Sequence, residues 1–105
     1  MHAFDVLGHP VRRRILEMLA SSAYNSGEIV DEIQREFDIS QPAVSQHLAA
    51  LKQAGLVHGR RQGRLVYYRV EPKGLKPLVD WIAHYRAFWT EHVERLEQLL
   101  DRMDG

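Results

Sequence analysis

Between Ile39 and Val70 the chain carries five basic side chains, Lys52, Arg60, Arg61, Arg64 and Arg69, and no carboxylate. Guanidinium and ammonium groups without local counter-charges are suited to gripping an anionic polymer. The same segment holds Ser40, Gln41, Ser45, Gln46 and His47, whose hydroxyl, amide and imidazole groups can make directional hydrogen bonds. Over all 105 residues, 14 Lys and Arg balance 14 Asp and Glu, for a formal net charge of zero. A neutral chain has therefore concentrated its positive potential on one stretch, the pattern of a polyanion-binding surface.

The elements that must position these groups follow from caps and spacing. Ser40 caps a helix with Pro42 in its first turn, and Val44, Leu48 and Leu51 give it a face for packing on a core. Gly55 ends that helix. Upstream, Asn25 or Ser26 caps another, with Glu28 in capping-box position after Asn25 and a stripe of Ile29, Ile33 and Phe37. Two capped helices joined by a short turn make a helix-turn-helix. Pro10 opens an earlier helix reaching about Ala20, with Val11, Ile15, Met18 and Leu19 apolar. Ala3 to Leu7 is read as a short helix closed by Gly8, and Ser21 to Tyr24 as a loop.

After Gly55, Leu56 to Arg61 and Leu65 to Val70 are β-rich and joined through Gln62-Gly63, which predicts a hairpin. Val66, Tyr68 and Val70 alternate with Leu65, Tyr67 and Arg69, so one face of the second strand packs inward. The hairpin is a wing.

Pro72, Gly74 and Pro77 delay the last helix, which runs from about Leu75 to Met103 and spans roughly 40 Å. Leu75, Leu78, Ile82, Tyr85, Trp89, His92, Leu96, Leu99 and Met103 follow alternating spacings of three and four. Trp81, Phe88, Val93 and Leu100 widen that stripe. So broad an apolar surface on so small a chain predicts an oligomer interface. His92, among Leu, Trp and Tyr, sets register, pairs across a two-fold axis or binds metal with His84 or Asp80; the sequence leaves these open.

Length allows one domain, residues 1–105, with a binding core at about 10–70 and an oligomerisation helix at about 75–103. Hydrophobic residues make up 45% and charged residues 27%, as in a globular protein rather than a disordered one. No apolar run approaches the roughly 18 residues of a membrane span, and Met1 to Asp5 begin no signal peptide, so the expected location is cytoplasmic and without a membrane partner. Zero cysteines exclude disulfides, thiolate metal sites and thiol redox sensing.

These residues resemble the ArsR-type winged-helix transcriptional repressors, over nearly the whole chain. The resemblance is carried by Leu7-Gly8-His9-Pro10-Val11-Arg12-Arg13-Arg14-Ile15-Leu16, Ser26-Gly27-Glu28-Ile29, Gln41-Pro42-Ala43-Val44-Ser45-Gln46-His47-Leu48, Ala54-Gly55-Leu56-Val57 and the Arg60 to Val70 wing. Tyr85-Arg86-Ala87-Phe88-Trp89 followed by Leu96 is similar to the branch with a Phe-Trp terminal helix. The resemblance implies a mainly α fold with a β-hairpin wing, a homodimer paired through the terminal helices, and a recognition helix from Gln41 in the major groove of double-stranded DNA. It implies an interface of Phe4, Leu78, Trp81, Ile82, Tyr85, Phe88, Trp89, His92, Leu96 and Leu99. Two departures stand out: His9 replaces the usual acidic cap before proline, and Val30 to Glu36 is about one turn longer.

With Val44, Leu48 and Leu51 inward, the recognition helix presents Pro42, Ala43, Gln46, Ala49 and Gln53, flanked by Gln41, Ser45 and Lys52. Gln46 can pair with the N6 and N7 of adenine, while Ser45, Gln41 and the amides at the helix start hold phosphate. An ordinary polar helix face is the competing reading. Arg60, Arg61 and Arg64 suit phosphate or minor-groove contact, against a merely solvated hairpin tip. Arg12, Arg13 and Arg14 either touch the DNA backbone or pair along the helix with Glu17.

Asp80, His84, His92 and Glu97 do not reproduce the metal-ligand spacing of the family, and no cofactor is expected. No phosphate-binding glycine loop, nucleophile elbow or paired-carboxylate pattern suggests an enzyme. The expected function is sequence-specific repression on an imperfect palindrome, with autorepression included. The alternative is a winged-helix module that binds protein through Trp81, Phe88 and Trp89. With no cysteine, release by an organic ligand, by a partner protein or by expression level alone all stay open.

Overall fold

The computed structural model describes residues 6–104. Its elements are α1 (Pro10–Ser21), β1 (Tyr24–Asn25), α2 (Ser26–Glu36), α3 (Gln41–Gln53), β2 (Val57–Gln62), β3 (Leu65–Val70) and α4 (Pro72–Asp104). The short helix read at Ala3 to Leu7 lies largely outside the described residues, as does the interface assignment of Phe4. The chain divides into two compact units, with the boundary between Leu75 and Lys76.

In the first unit, α1, α2 and α3 enclose a core that includes Ile15, Ile29, Ile33, Val44 and Leu51, each fully buried. Burial of each such side chain contributes roughly 1.5–3 kcal/mol before entropy is counted. The helix boundaries follow local chemistry. The Val11 amide donates to His9 Nδ1 at 3.2 Å, so His9 itself caps α1 ahead of Pro10. At α2 the Glu28 amide donates to Asn25 Oδ1 and the Asn25 amide donates to Glu28 Oε1, both at 2.9 Å, completing the expected capping box. At α3 the Ala43 amide donates to the Ser40 hydroxyl at 3.3 Å. Beyond Gln53 the chain turns through Gly55 at φ +77°, and the Gly55 and Leu56 amides donate to the carbonyls of Lys52 and Leu51.

The sheet is antiparallel and three-stranded, in the order β1-β3-β2. The reading of Ser21 to Tyr24 as a loop is corrected here: α1 extends to Ser21, and Tyr24 and Asn25 pair with Tyr68 and Tyr67. A two-residue strand has no alternation to betray it, and its pairing is decided by distant β3. The wing registers Val57 against Val70 and Gln62 against Leu65, leaving Gly63 at φ +64° in a two-residue turn. Opposite Gly59 the Tyr68 ring lies so near that an added Cβ would stand 3.0 Å from it.

The last helix also begins earlier than its sequence suggests, at Pro72 rather than about Leu75. Pro72 occupies the first helical position, where a missing N–H costs nothing. The Glu71 carbonyl accepts from the Gly74 and Leu75 amides at 3.1 Å, and the Glu71 carboxylate accepts from the Lys73 amide at 3.3 Å. Pro77 then removes one intrahelical bond and is tolerated within the helix. The 33 residues of α4 correspond to about 50 Å.

From Lys76 onward the second unit consists of this helix. Leu78 is buried, whereas Trp81, Ile82, Tyr85, Phe88, Trp89, Leu96 and Leu99 are between 43% and 57% exposed. Trp81 stacks on Tyr85 with centroids 4.9 Å apart, and Phe88 meets the His92 ring at 4.0 Å. His92 Nδ1 lies 3.0 Å from the Phe88 carbonyl, to which it donates. Lys76 pairs with Asp80, and Arg95 with Glu91, on the polar side. No described helix is long and apolar enough to cross a membrane.

Candidate nucleic-acid interface

The candidate surface is built on α3. Burial of Val44, Leu48, Ala50 and Leu51 fixes the helix's rotation, and Pro42, Gln46, Ala49 and Gln53 then emerge along one exposed stripe. Ala43 is half-buried at its margin. The helix carries no acidic residue in its first turn, where the exposed amides and the positive end of the dipole favour an anion. Gln41 and Ser45, on one flank, line a cleft of about 280 Å³ with Ser26, Gly27, Val30 and Asp31 of α2. Asp31 gives that cleft an acidic wall, which disfavours a phosphate lodged deep within it.

His47 lies on the other flank. Its Nδ1 accepts from Arg12 Nε at 3.1 Å, and its ring stands 4.1 Å from that of His9. Burial chiefly, followed by the neighbouring His9 and Arg12 charges, holds the His47 pKa below the ordinary histidine value. The ring is thus turned toward α1 rather than along the exposed stripe. Sequence reading did not group these three residues, because 35 positions separate Arg12 from His47 and no local pattern joins them.

The three consecutive arginines of α1 divide similarly. Arg14 forms an ion pair with Glu36 at 2.9 Å and a longer one with Glu17 at 3.5 Å, and these carboxylates raise its pKa. Arg13 donates to the Leu7 carbonyl at 2.8 Å. Helix-surface pairing with Glu17, one of the two readings open at the sequence level, is present at Arg14, with the longer-range Glu36 as the nearer partner.

The basic segment behaves differently. Among the described residues Lys52, Arg60, Arg61, Arg64 and Arg69 form no ion pair. All five are exposed. Arg60 and Arg61 sit on β2 opposite Tyr67 and Val66, and Arg64 occupies the turn; Arg61 Nε also donates to the Gly63 carbonyl at 3.4 Å. Their charges remain available to an external anion. No group of three or more His, Asp or Glu side chains among the described residues is arranged to hold a metal ion.

Comparison with known proteins matches this arrangement. A family described as a helix-turn-helix domain covers residues 7–60. The transcriptional repressor SdpR of Bacillus subtilis is 31% identical over 84 residues, or 80% of this chain and 89% of SdpR. The regulator Rv2034 of Mycobacterium tuberculosis is 37% identical over 99 residues, or 94% of this chain and 86% of Rv2034. This chain belongs to the ArsR family. A solved structure, the homodimeric winged helix-turn-helix DNA-binding domain Mb0332 of Mycobacterium bovis, aligns with a TM-score of 0.61 at 26% identity. That alignment covers 79% of this chain and 73% of the other. As an ArsR-family protein it is a sequence-specific DNA-binding regulator and not an enzyme.

Proposed function

We propose that this ArsR-family protein is a homodimeric repressor that sets two copies of α3 into successive major grooves, about 34–36 Å apart, on an imperfect palindrome. Gln46 reads a base edge from the exposed stripe, while Ser40, Gln41, Pro42, Ala43 and Ser45 bring the amino end of α3 against the backbone. Lys52, Arg60, Arg61 and Arg64 neutralise phosphates beside it. The observation that carries this reading is the gathering of five exposed cations, none ion-paired among the described residues, in a 39–70 segment that holds no carboxylate.

Duplication comes from α4. Its exposed Trp81, Ile82, Tyr85, Phe88, Trp89, Leu96 and Leu99, with His92 among them, form the interface with a second copy, and Leu78 belongs to the same stripe. The homodimeric assembly of Mb0332 supports this reading. Occupying a promoter in this way blocks polymerase, and the gene's own promoter is the first site to test. Action on genomic DNA puts the protein in the cytoplasm. A gel shift with the gene's upstream region against unrelated DNA tests the reading: a complex that survives competitor DNA supports it, and equal binding to both sequences overturns it.

A further inference from the structure

We propose that His9, Arg12 and His47 form a proton-operated clamp holding the recognition helix α3 against α1, so that acidification weakens operator binding. The inference rests on α3 being the DNA-reading element. Its basis is how the two imidazoles use their lone pairs. His47 Nδ1 accepts from Arg12 Nε at 3.1 Å, and His9 Nδ1 accepts from the Val11 amide at 3.2 Å. An imidazole nitrogen that accepts carries no proton, so Nδ1 is bare in both rings. The next proton His47 takes must therefore go to Nδ1, the atom already in use.

Protonation of His47 thus cancels the Arg12 bond. With the Arg12 guanidinium beside the ring, that event also places like charges together. The charged groups acting on His47 are His9, from the start of α1, and Arg12, from its first turn. Among the described residues α2 and β2, the other elements packed on α3, contribute none, and no carboxylate offsets the charge. Burial and these two neighbours lower the His47 pKa. The neutral clamp is accordingly complete above the ordinary histidine value of about 6.5 and is lost as pH falls through the lowered one. Gln46, next along α3, is then displaced from the geometry that base reading needs.

The test compares operator affinity at about pH 7.5 and about pH 5.5 for the intact protein and for His47→Gln, whose amide oxygen can accept from Arg12 without titrating. The clamp predicts that acidification costs the intact protein about three- to tenfold more affinity than it costs the variant. Parallel pH profiles would overturn it. Absence of specific binding by the intact protein at the higher pH would instead remove the DNA-reading assignment beneath it. A second measurement needs no variant: nitrogen-15 spectra of the intact protein's imidazoles at the higher pH should show Nδ1 unprotonated in His9 and His47. A proton on either Nδ1 contradicts the clamp.

Discussion

Gly74, in the first turn of α4, lies against the Gly55 carbonyl, which stands where a Gly74 Cβ would be. The glycine just past the end of α3 and one in the first turn of the long helix are thus packed backbone to backbone. Each needs to be glycine for a different reason: Gly55 adopts a positive φ of 77°, and Gly74 has no space. Gly74→Ala should destabilise the fold by about 1–3 kcal/mol or more through overpacking. Gly55→Ala, which meets open space, should cost about 1–2 kcal/mol from backbone conformation alone. Urea unfolding of both variants checks this, and a Gly74→Ala protein as stable as the parent would refute the close approach.

The reciprocal bonds between Asn25 and Glu28 hold the start of α2 where β1 meets β3. Asn25→Ala should lower stability by about 0.5–2 kcal/mol, whereas Asn25→Asp, which keeps an acceptor, should largely retain it. Equal losses from the two replacements would show that the side-chain cap is not what matters.

Neutralising Arg60, Arg61 and Arg64 to Gln tests the wing. If all three sit on phosphates, the slope of log affinity against log salt should become shallower by about 0.9 for each phosphate no longer neutralised. Binding across a salt series measures it, and an unaltered slope would remove the wing from the interface.

Gln46→Ala isolates base reading from backbone binding. A loss of about 1–3 kcal/mol confined to one base position in each half-site is expected. Screening variant duplexes reveals the pattern; a uniform loss over every sequence would make Gln46 a backbone contact.

Much of this architecture was legible because its signals are local. Ser40, Asn25 and Gly55 mark helix ends within a few residues, and Val44, Leu48 and Leu51 fix the face of α3 by spacing alone. Strand β1 escaped because Tyr24 and Asn25 acquire their conformation from Tyr67 and Tyr68, far along the chain. The start of α4 was misplaced because Pro72, Gly74 and Pro77 are helix breakers by intrinsic preference, and the Glu71 cap with the Gly55 contact outweighs that preference. In the candidate interface the unbalanced charge of Lys52 and the wing arginines was visible in composition. The engagement of His47 with Arg12 and His9 was not, since only folding brings α1 beside α3.

The exposed stripe on α4 predicts its own disruption. Replacing Trp89 or Leu96 with Glu buries a carboxylate in any paired interface, and the protein should become a monomer with its winged-helix unit still folded. Sedimentation velocity with circular dichroism separates the outcomes: a folded protein that remains dimeric would move the interface elsewhere.

In the proposed mechanism two copies of α3 read one operator together. Sedimentation equilibrium of the protein mixed with an operator duplex reports on this without an intermediary, by counting chains per DNA. Complexes should carry two chains from the lowest protein concentrations at which binding occurs. A stable, sequence-specific complex with one chain, filling a second half-site independently, would contradict the mechanism.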